Sequence, residues 1–214
     1  MKLCIVSDTH NRLDKIGMPH ADILIHCGDW TLEGNHAELQ LFYRALKRIR
    51  KNYKHVLIVP GNHDKIAESD TDMVRALFKQ SSMTLLVDKG ITIGGKHFYG
   101  SPWTPFCGHW AFQYDNDEAA EYHWSKIPKN TDFLITHGPP HTVLDLSDSK
   151  WSRGNSGCPV LAKHVERVKP EVHAFGHIHE GYGMLEYANT TFINAATLKR
   201  DYFSQNAPVV VDFT

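Results

Sequence analysis

His55-Val56-Leu57-Ile58-Val59-Pro60-Gly61-Asn62-His63-Asp64 decides the reading of this chain. Residues 55–59 have the length and β-branched character of a buried strand. Pro60-Gly61 stops it. Three side chains that ligate metals or move protons follow at once. The same grammar recurs at four other places. Residues 2–7 run into Asp8-Thr9-His10, residues 23–27 into Gly28-Asp29, residues 132–136 into His137-Gly138, and residues 171–175 into Gly176-His177-Ile178-His179. Each polar motif therefore sits where a strand should stop, and in open α/β sheets ligands bind at the carboxyl ends of strands.

Outward from these strands, helices alternate. Asn35 is placed to cap a helix over residues 36–51, with Leu39, Phe42, Leu46 and Ile49 on one face. Asp70 or Thr71 opens a second helix around Val74, Leu77 and Phe78. The middle is strand-rich: residues 84–87, 91–93 and 97–99 are separated by the turn pairs Lys89-Gly90 and Gly94-Gly95. Residues 101–110 hold two prolines and several aromatics and read as irregular. A helix is expected from Asn116 to about Lys126, a loop over 147–157, a helix over 158–168, and closing strands over 182–187, 191–194 and 209–213. Alternation of strand and helix marks a layered α/β fold.

At 214 residues the default is one domain spanning the chain. The net charge of -1 gives no reason to expect binding to nucleic acid or to an anionic membrane. No stretch has the apolar length of a membrane span. The short apolar run before Asp8 reads as a first strand and not as a signal peptide. Cys4, Cys27, Cys107 and Cys158 have no CxxC spacing, which fits a reducing, cytoplasmic setting.

The motifs supply Asp8, His10, Asp29, Asn62, His137, His177 and His179 as candidate metal ligands, with His63 and Asp64 beside them. Residues two apart on a strand share a face, so Asp8 with His10, and His177 with His179, are expected to point the same way. A mixed imidazole and oxygen set without Cys suits Mn, Fe, Zn, Ni or Co, with Mn favoured, over pure Mg or Ca binding. A carboxylate such as Asp29 can bridge two cations. Two metals about 3.5–4 Å apart activate a shared water near neutral pH. In a tight turn after Pro60-Gly61, His63 can reach substrate as general acid, with Asp64 or another carboxylate orienting it. Any one of these motifs alone is most often a surface or core detail. All five together, in order and at strand ends, are not.

The ordered set resembles the calcineurin-like metallophosphoesterase superfamily, over residues 8–179. That resemblance implies a four-layer αββα sandwich, two mixed β-sheets face to face with helices outside. It implies that Asp8, His10 and His179 hold one metal, that Asp29 bridges, and that Asn62, His137 and His177 hold the other. It also implies His63 as the acid acting on the leaving oxygen, opposite in-line attack by a metal-bridging hydroxide. Gly100-Ser-Pro-Trp-Thr-Pro, Thr136-His-Gly-Pro-Pro, Gly157-Cys158, Phe175-Gly-His-Ile-His-Glu-Gly-Tyr-Gly and Phe192-Ile-Asn-Ala are similar to small phosphodiesterases related to the fetal-brain metallophosphoesterase-domain proteins. Some of those carry glycine at the position of His177; this chain keeps the His, which implies a fully furnished site. An arginine soon after the bridging Asp, as in protein Ser/Thr phosphatases, is missing. Leu32 stands where purple acid phosphatases place a tyrosine.

The resemblance and the ligands together give the expected activity, hydrolysis of small phosphodiesters of nucleotide type, cyclic or linear. A phosphomonoesterase or a nuclease of the same superfamily, and a metal-free binding module, are the alternatives. The neutral charge argues against a nuclease. Trp103, Phe106 and Trp110 could stack on a base or close the sheet edge as core aromatics. His141 and the loop over 151–155, with Arg153 on a phosphate and Asn155 beside it, could contact substrate or be plain solvated loop. An oligomer is compatible with the sequence.

Overall fold

The computed structural model describes residues 1–149 and 153–213. The first strand, β1 (Lys2–Val6), sets the pattern of the core. Leu3 and Ile5 face a second sheet, while Cys4 and Val6 face a helix layer, as a two-residue period requires. Beside β1 run β2 (Ile23–His26), β3 (His55–Ile58) and β4 (Thr84–Leu85), all parallel. Four strands of the other sheet follow in the chain: β5 (Lys89–Ile93), β6 (Lys96–Ser101) and, after the short parallel pair β7 (Thr104–Pro105) and β8 (Gln113–Tyr114), β9 (Phe133–Thr136) and, past the ribbon β10 (Leu146–Asp148) and β11 (Arg153–Asn155), β12 (Val172–Phe175). The hairpin β13 (Gly183–Tyr187) and β14 (Thr190–Asn194) closes that sheet, and β15 (Val209–Asp212) returns antiparallel to β1.

The result is a five-stranded sheet, order β15-β1-β2-β3-β4, against a six-stranded sheet, order β13-β14-β12-β9-β6-β5. Both are mixed. Leu3, Ile5, Ile25, Leu57, Phe98, Phe133, Ile135 and Ile193 fill the space between them. On the outer face of the first sheet pack α1 (His36–Ile49) and α3 (Thr71–Lys79), through Leu39, Phe42, Leu46, Val74 and Phe78. On the outer face of the second pack α4 (Asp117–Trp124) and α5 (Pro159–Val168), through Trp124, Leu161 and Val165. This is the αββα sandwich that the family resemblance implied. Each fully buried Leu, Ile or Phe contributes on the order of 1.5–3 kcal/mol.

The caps explain where the helices start. Asn35 accepts the Glu38 amide at 3.1 Å, Asp70 that of Met73 at 3.0 Å, and Asn116 that of Ala119 at 2.8 Å. The short helix α2 (Lys65–Ser69), directly after the Gly61–Asp64 turn, has too few residues to show a period and is absent from the sequence reading. The expected loop over 147–157 is in part the ribbon β10–β11, whose strands are too short and polar to announce themselves.

One buried group makes the fold acid-sensitive. His173 lies wholly buried on β12, its Nε2 at 2.8 Å from Thr136 Oγ1. That hydroxyl donates to the Gly138 carbonyl at 2.7 Å, so it accepts from His173 Nε2–H and leaves Nδ1 unprotonated with no partner. Burial lowers the His173 pKa to about 3. The folded state thus binds fewer protons than the unfolded one. Its contribution is complete above the free-imidazole pKa of about 6.5 and drains away as pH falls toward 3. His173→Phe is expected to recover about 2 kcal/mol at pH 5 relative to its effect at pH 7.5. Urea unfolding of both proteins at the two pH values checks this; a parallel loss at both would refute it.

Candidate metal centre

The loops leaving β1, β2, β3, β9 and β12 meet at one end of both sheets. Their backbones are stitched together: Asp8 N–H donates to Gly28 O at 2.9 Å, His10 N–H to Asp29 O at 3.0 Å, and Gly176 N–H to His137 O at 2.8 Å. Asp8, His10, Asp29 and His177 take φ values of 53°, 35°, 54° and 67°. Left-handed backbone at a residue other than glycine costs roughly 1–3 kcal/mol and concentrates at functional sites. This corrects the strand-parity argument. β1 ends at Val6 and β12 at Phe175, so Asp8, His10 and His177 lie beyond regular strand and are aimed by left-handed turns; His179 opens a 3-10 turn.

Two glycines explain how close the loops come. A Cβ on Gly61 would overlap the Asp29 carboxylate, and one on Gly176 would overlap that of Asp8. The glycines of these motifs are needed for space around the carboxylates.

All seven predicted ligands converge. Asp8, His10 and His179 form one group, Asp29, His137 and His177 another, and His10, Asp29 and His63 a third that overlaps the first two, with ligand atoms within 4.8 Å of each other in each group. Asp29 stands between the first two: Oδ2 lies 3.8 Å from His10 Nε2, and Oδ1 lies 3.3 Å from His137 Nε2. Asn62 Oδ1 is 3.0 Å from that same His137 nitrogen. Asp8 accepts the His177 amide on both oxygens, at 3.1 and 3.0 Å.

The donor chemistry fits divalent cations. His137 Nδ1 is 2.9 Å from the Cys27 carbonyl, to which it must donate, so its neutral form turns the Nε2 lone pair on the oxygens of Asp29 and Asn62. Lone pairs that face one another in a buried place call for a cation. Burial alone would lower the His137 pKa; the charge of Asp29 overcomes it and raises the value to about 9, so a proton fills that gap when no metal does. His10 Nδ1 is likewise committed to the Thr31 carbonyl at 3.0 Å, and its buried Nε2 has no hydrogen-bond partner. Burial lowers the pKa of both His10 and His177 to about 4, which keeps them neutral, the form in which an imidazole can ligate a cation.

The carboxylate beside His63 is that of Asp29 and not Asp64. His63 Nδ1 donates to the Leu32 carbonyl at 2.6 Å, its amide donates to Asp29 Oδ1 at 2.8 Å, and its Nε2 is 3.9 Å from Asp29 Oδ2. Asp64 does not orient it. The Asp64 carboxylate is buried and accepts from Gly61 N–H at 2.7 Å, Thr31 N–H at 2.9 Å and Thr31 Oγ1–H at 2.6 Å. It ties the Asp29 loop to the Asn62 loop.

An open cleft of about 350 Å³ lies over the centre. Of the six residues expected to contact substrate, Trp110 alone lines it, and Phe106 is exposed outside it. Trp103 is packed on the His123 ring at 3.6 Å, its indole N–H on Asp88 at 3.1 Å, so it is a core aromatic. His141 sits 3.7 Å from Asp145 and lines a separate groove. Asn155 donates to Asp145 Oδ1 at 2.6 Å, which shapes the ribbon, and Arg153 is exposed on β11 away from the cleft. Trp151 lies outside the described residues. The sequence reading missed Cys107, Ser147, Glu180, Arg200 and Tyr202, which also line the cleft. Glu180 adjoins a motif and was within reach of it; Arg200 and Tyr202 follow a strandless stretch with no periodic signal. The Tyr202 ring lies 4.8 Å from that of His10 and 5.4 Å from that of His179.

The chain is similar to known proteins in sequence and in fold. The chain is 37% identical over 229 aligned positions to human "Metallophosphoesterase domain-containing protein 1", covering 97% of this chain and 69% of that protein. It is 38% identical over 223 positions to "UPF0046 protein K07C11.7" of Caenorhabditis elegans, covering 98% and 74%. Among solved structures, phosphopantetheinyl hydrolase of Mycobacterium tuberculosis superposes with a TM-score of 0.63 at 14% identity, covering 94% of this chain and 91% of that one. TT1561 of Thermus thermophilus superposes with a TM-score of 0.61 at 13% identity, over 91% and 88%. These structural likenesses concern the fold. Residues 1–181 match the calcineurin-like phosphoesterase family, and with the αββα sandwich and the two ligand groups at its strand ends, the chain belongs to that family.

Proposed function

We propose that this chain is a two-metal phosphodiesterase acting on small nucleotide-like diesters, cyclic or linear. The observation that carries the reading is the placement of Asp29 between two buried ligand groups, one oxygen turned to each. Family membership supports a metal-dependent phosphoric ester hydrolase; the diester and the nucleotide-like substrate are the finer reading. Asp8, His10 and His179 would hold one cation, Asn62, His137 and His177 the other, and Asp29 both. When bound, two such cations polarise the phosphoryl group and make a water nucleophilic near pH 7. The mixed nitrogen and oxygen donors favour Mn, with Fe, Zn, Ni and Co as the other candidates.

The protein's own part is positioning and proton transfer. The Leu32 carbonyl fixes the His63 tautomer, so a protonated ring carries its second proton on Nε2, beside Asp29 and over the cleft. From there it donates to the leaving oxygen. The cleft charge favours a diester. Among the described residues that line it, Arg200 is the one Lys or Arg, and Asp148 at 2.6 Å and Glu180 at 3.6 Å already hold its guanidinium. A diester carries one negative charge where a monoester carries nearly two, and so needs less cationic support. The free thiols fit a reducing, cytoplasmic compartment. No helix among the described residues is long and apolar enough to cross a membrane.

The test compares bis(p-nitrophenyl) phosphate with p-nitrophenyl phosphate, using chelated protein and protein reloaded with Mn²⁺. Metal-dependent turnover with at least tenfold preference for the diester is expected. Preference for the monoester would make the chain a phosphomonoesterase. Silence with Mn²⁺, Fe²⁺, Zn²⁺, Ni²⁺ and Co²⁺ would leave a binding module.

A further inference from the structure

Trp110 lines the cleft, yet its ring is already engaged. It stacks on the His63 imidazole with centroids 3.9 Å apart and planes 29° from parallel. The Lys65 ammonium lies 4.3 Å from the centroid of the same indole. The segment bearing Trp110 is pinned to the His63 turn at the backbone. Ala111 N–H donates to the Asn62 carbonyl at 2.9 Å, and Phe112 N–H donates to the Glu68 carboxylate of α2 at 2.6 Å. Phe112 takes a φ of 51°, a left-handed turn that brings the segment back toward Thr104. Two independent restraints therefore meet on one imidazole: the Leu32 carbonyl holds Nδ1, and the indole face limits rotation of the ring plane.

We infer that Trp110 is a positioning residue for His63, holding its Nε2 on the line to the leaving oxygen, and does not serve as a platform for a substrate base. The inference rests on the phosphoesterase reading above and makes its aromatic wall part of the acid. Proton donation matters most when the leaving group is a poor one, because a good one carries its negative charge unaided. Loss of the indole should show as a change in kcat that depends on the leaving group. Loss of a base platform would show as a rise in KM for nucleotides alone.

The experiment uses the Mn²⁺-loaded full chain and two aryl diesters, bis(p-nitrophenyl) phosphate and diphenyl phosphate. Trp110→Ala is expected to lower kcat for the phenol-releasing substrate about 10–100-fold, at least fivefold more than for the nitrophenol-releasing one, with KM for both within threefold. Trp110→Phe, which keeps an aromatic face, should restore most of the loss. In a His63→Asn background, Trp110→Ala should add nothing. A readout independent of turnover is the His63 ring-proton resonance, which the indole face shifts upfield in the chelated protein and which Trp110→Ala should return toward its free position. Equal losses on both substrates, a KM effect alone, additivity with His63→Asn, or an unmoved resonance would each overturn the inference. If His63→Asn itself shows no dependence on the leaving group, the acid reading falls. The resonance still decides whether Trp110 holds the ring.

Discussion

Asp29→Ala should lower turnover of a phosphodiester by about 10³-fold or more, and bound metal should fall from two per chain to one or fewer. Partners outside a ligand shell typically account for 10–100-fold, and Asp29 is the group whose two oxygens face both ligand clusters. It also accepts the His63 amide at 2.8 Å, so its removal loosens the acid as well as the centre. Asp29→Asn separates these roles. An amide keeps the shape and one acceptor oxygen, but its nitrogen cannot ligate. Metal analysis of dialysed protein, with turnover at saturating Mn²⁺, checks the prediction. Two metals retained in either variant, with activity within tenfold, would rule out the bridging role. The neighbouring imidazoles hold the Asp29 carboxyl well below the usual range although burial pushes the other way, so the wild-type group is ionised across the neutral pH range.

The second large effect belongs to His63→Asn. General-acid catalysis contributes about 10²–10⁴-fold, and that range is expected for a diester with an alcohol leaving group. With a nitrophenol leaving group the loss should stay under tenfold. Metal content should be unchanged, because the His63 Nδ1 is spent on Leu32 and the proposed ligand set holds both cations without its Nε2, which groups with His10 and Asp29. Loss of a metal with His63→Asn, or losses of equal size on both substrates, would make His63 a ligand or a structural residue.

Much of the centre was legible because its chemistry is written in short motifs. Asp8, His10, Asp29, Asn62, His63, His137, His177 and His179 were all named from residue type and from their place after apolar runs. The structure gathers them for the reason given, common strand ends in two facing sheets. The means was different. Strand parity does not aim Asp8 and His10, nor His177 and His179; left-handed backbone at Asp8, His10 and His177 and a 3-10 turn at His179 do, and a φ of that kind at Asp or His leaves no mark on the sequence. Asp64 or another carboxylate was read as the partner of His63, Asp64 being adjacent in the chain. In space it faces Thr31 and Gly61.

The substrate wall was the least legible part. Trp103 and Trp110 look alike in sequence, seven positions apart in one aromatic segment. One packs on His123 within the fold and the other on His63 in the cleft. Arg200 and Tyr202 reach the cleft because an isolated bridge, Leu198 to Gln205, folds their segment back, and Asp201 caps its turn by accepting from Phe203 N–H at 2.8 Å and Ser204 N–H at 2.7 Å.

By itself the sequence determined the layered fold and the candidate ligands, because hydrophobic period and donor chemistry are local properties of the chain. Tertiary structure alone decided which oxygen of Asp29 faces which cluster, which tryptophan touches His63, and which distant loops wall the cleft. Those depend on backbone turns and on contacts between residues far apart in the chain, where no short-range pattern can carry the information.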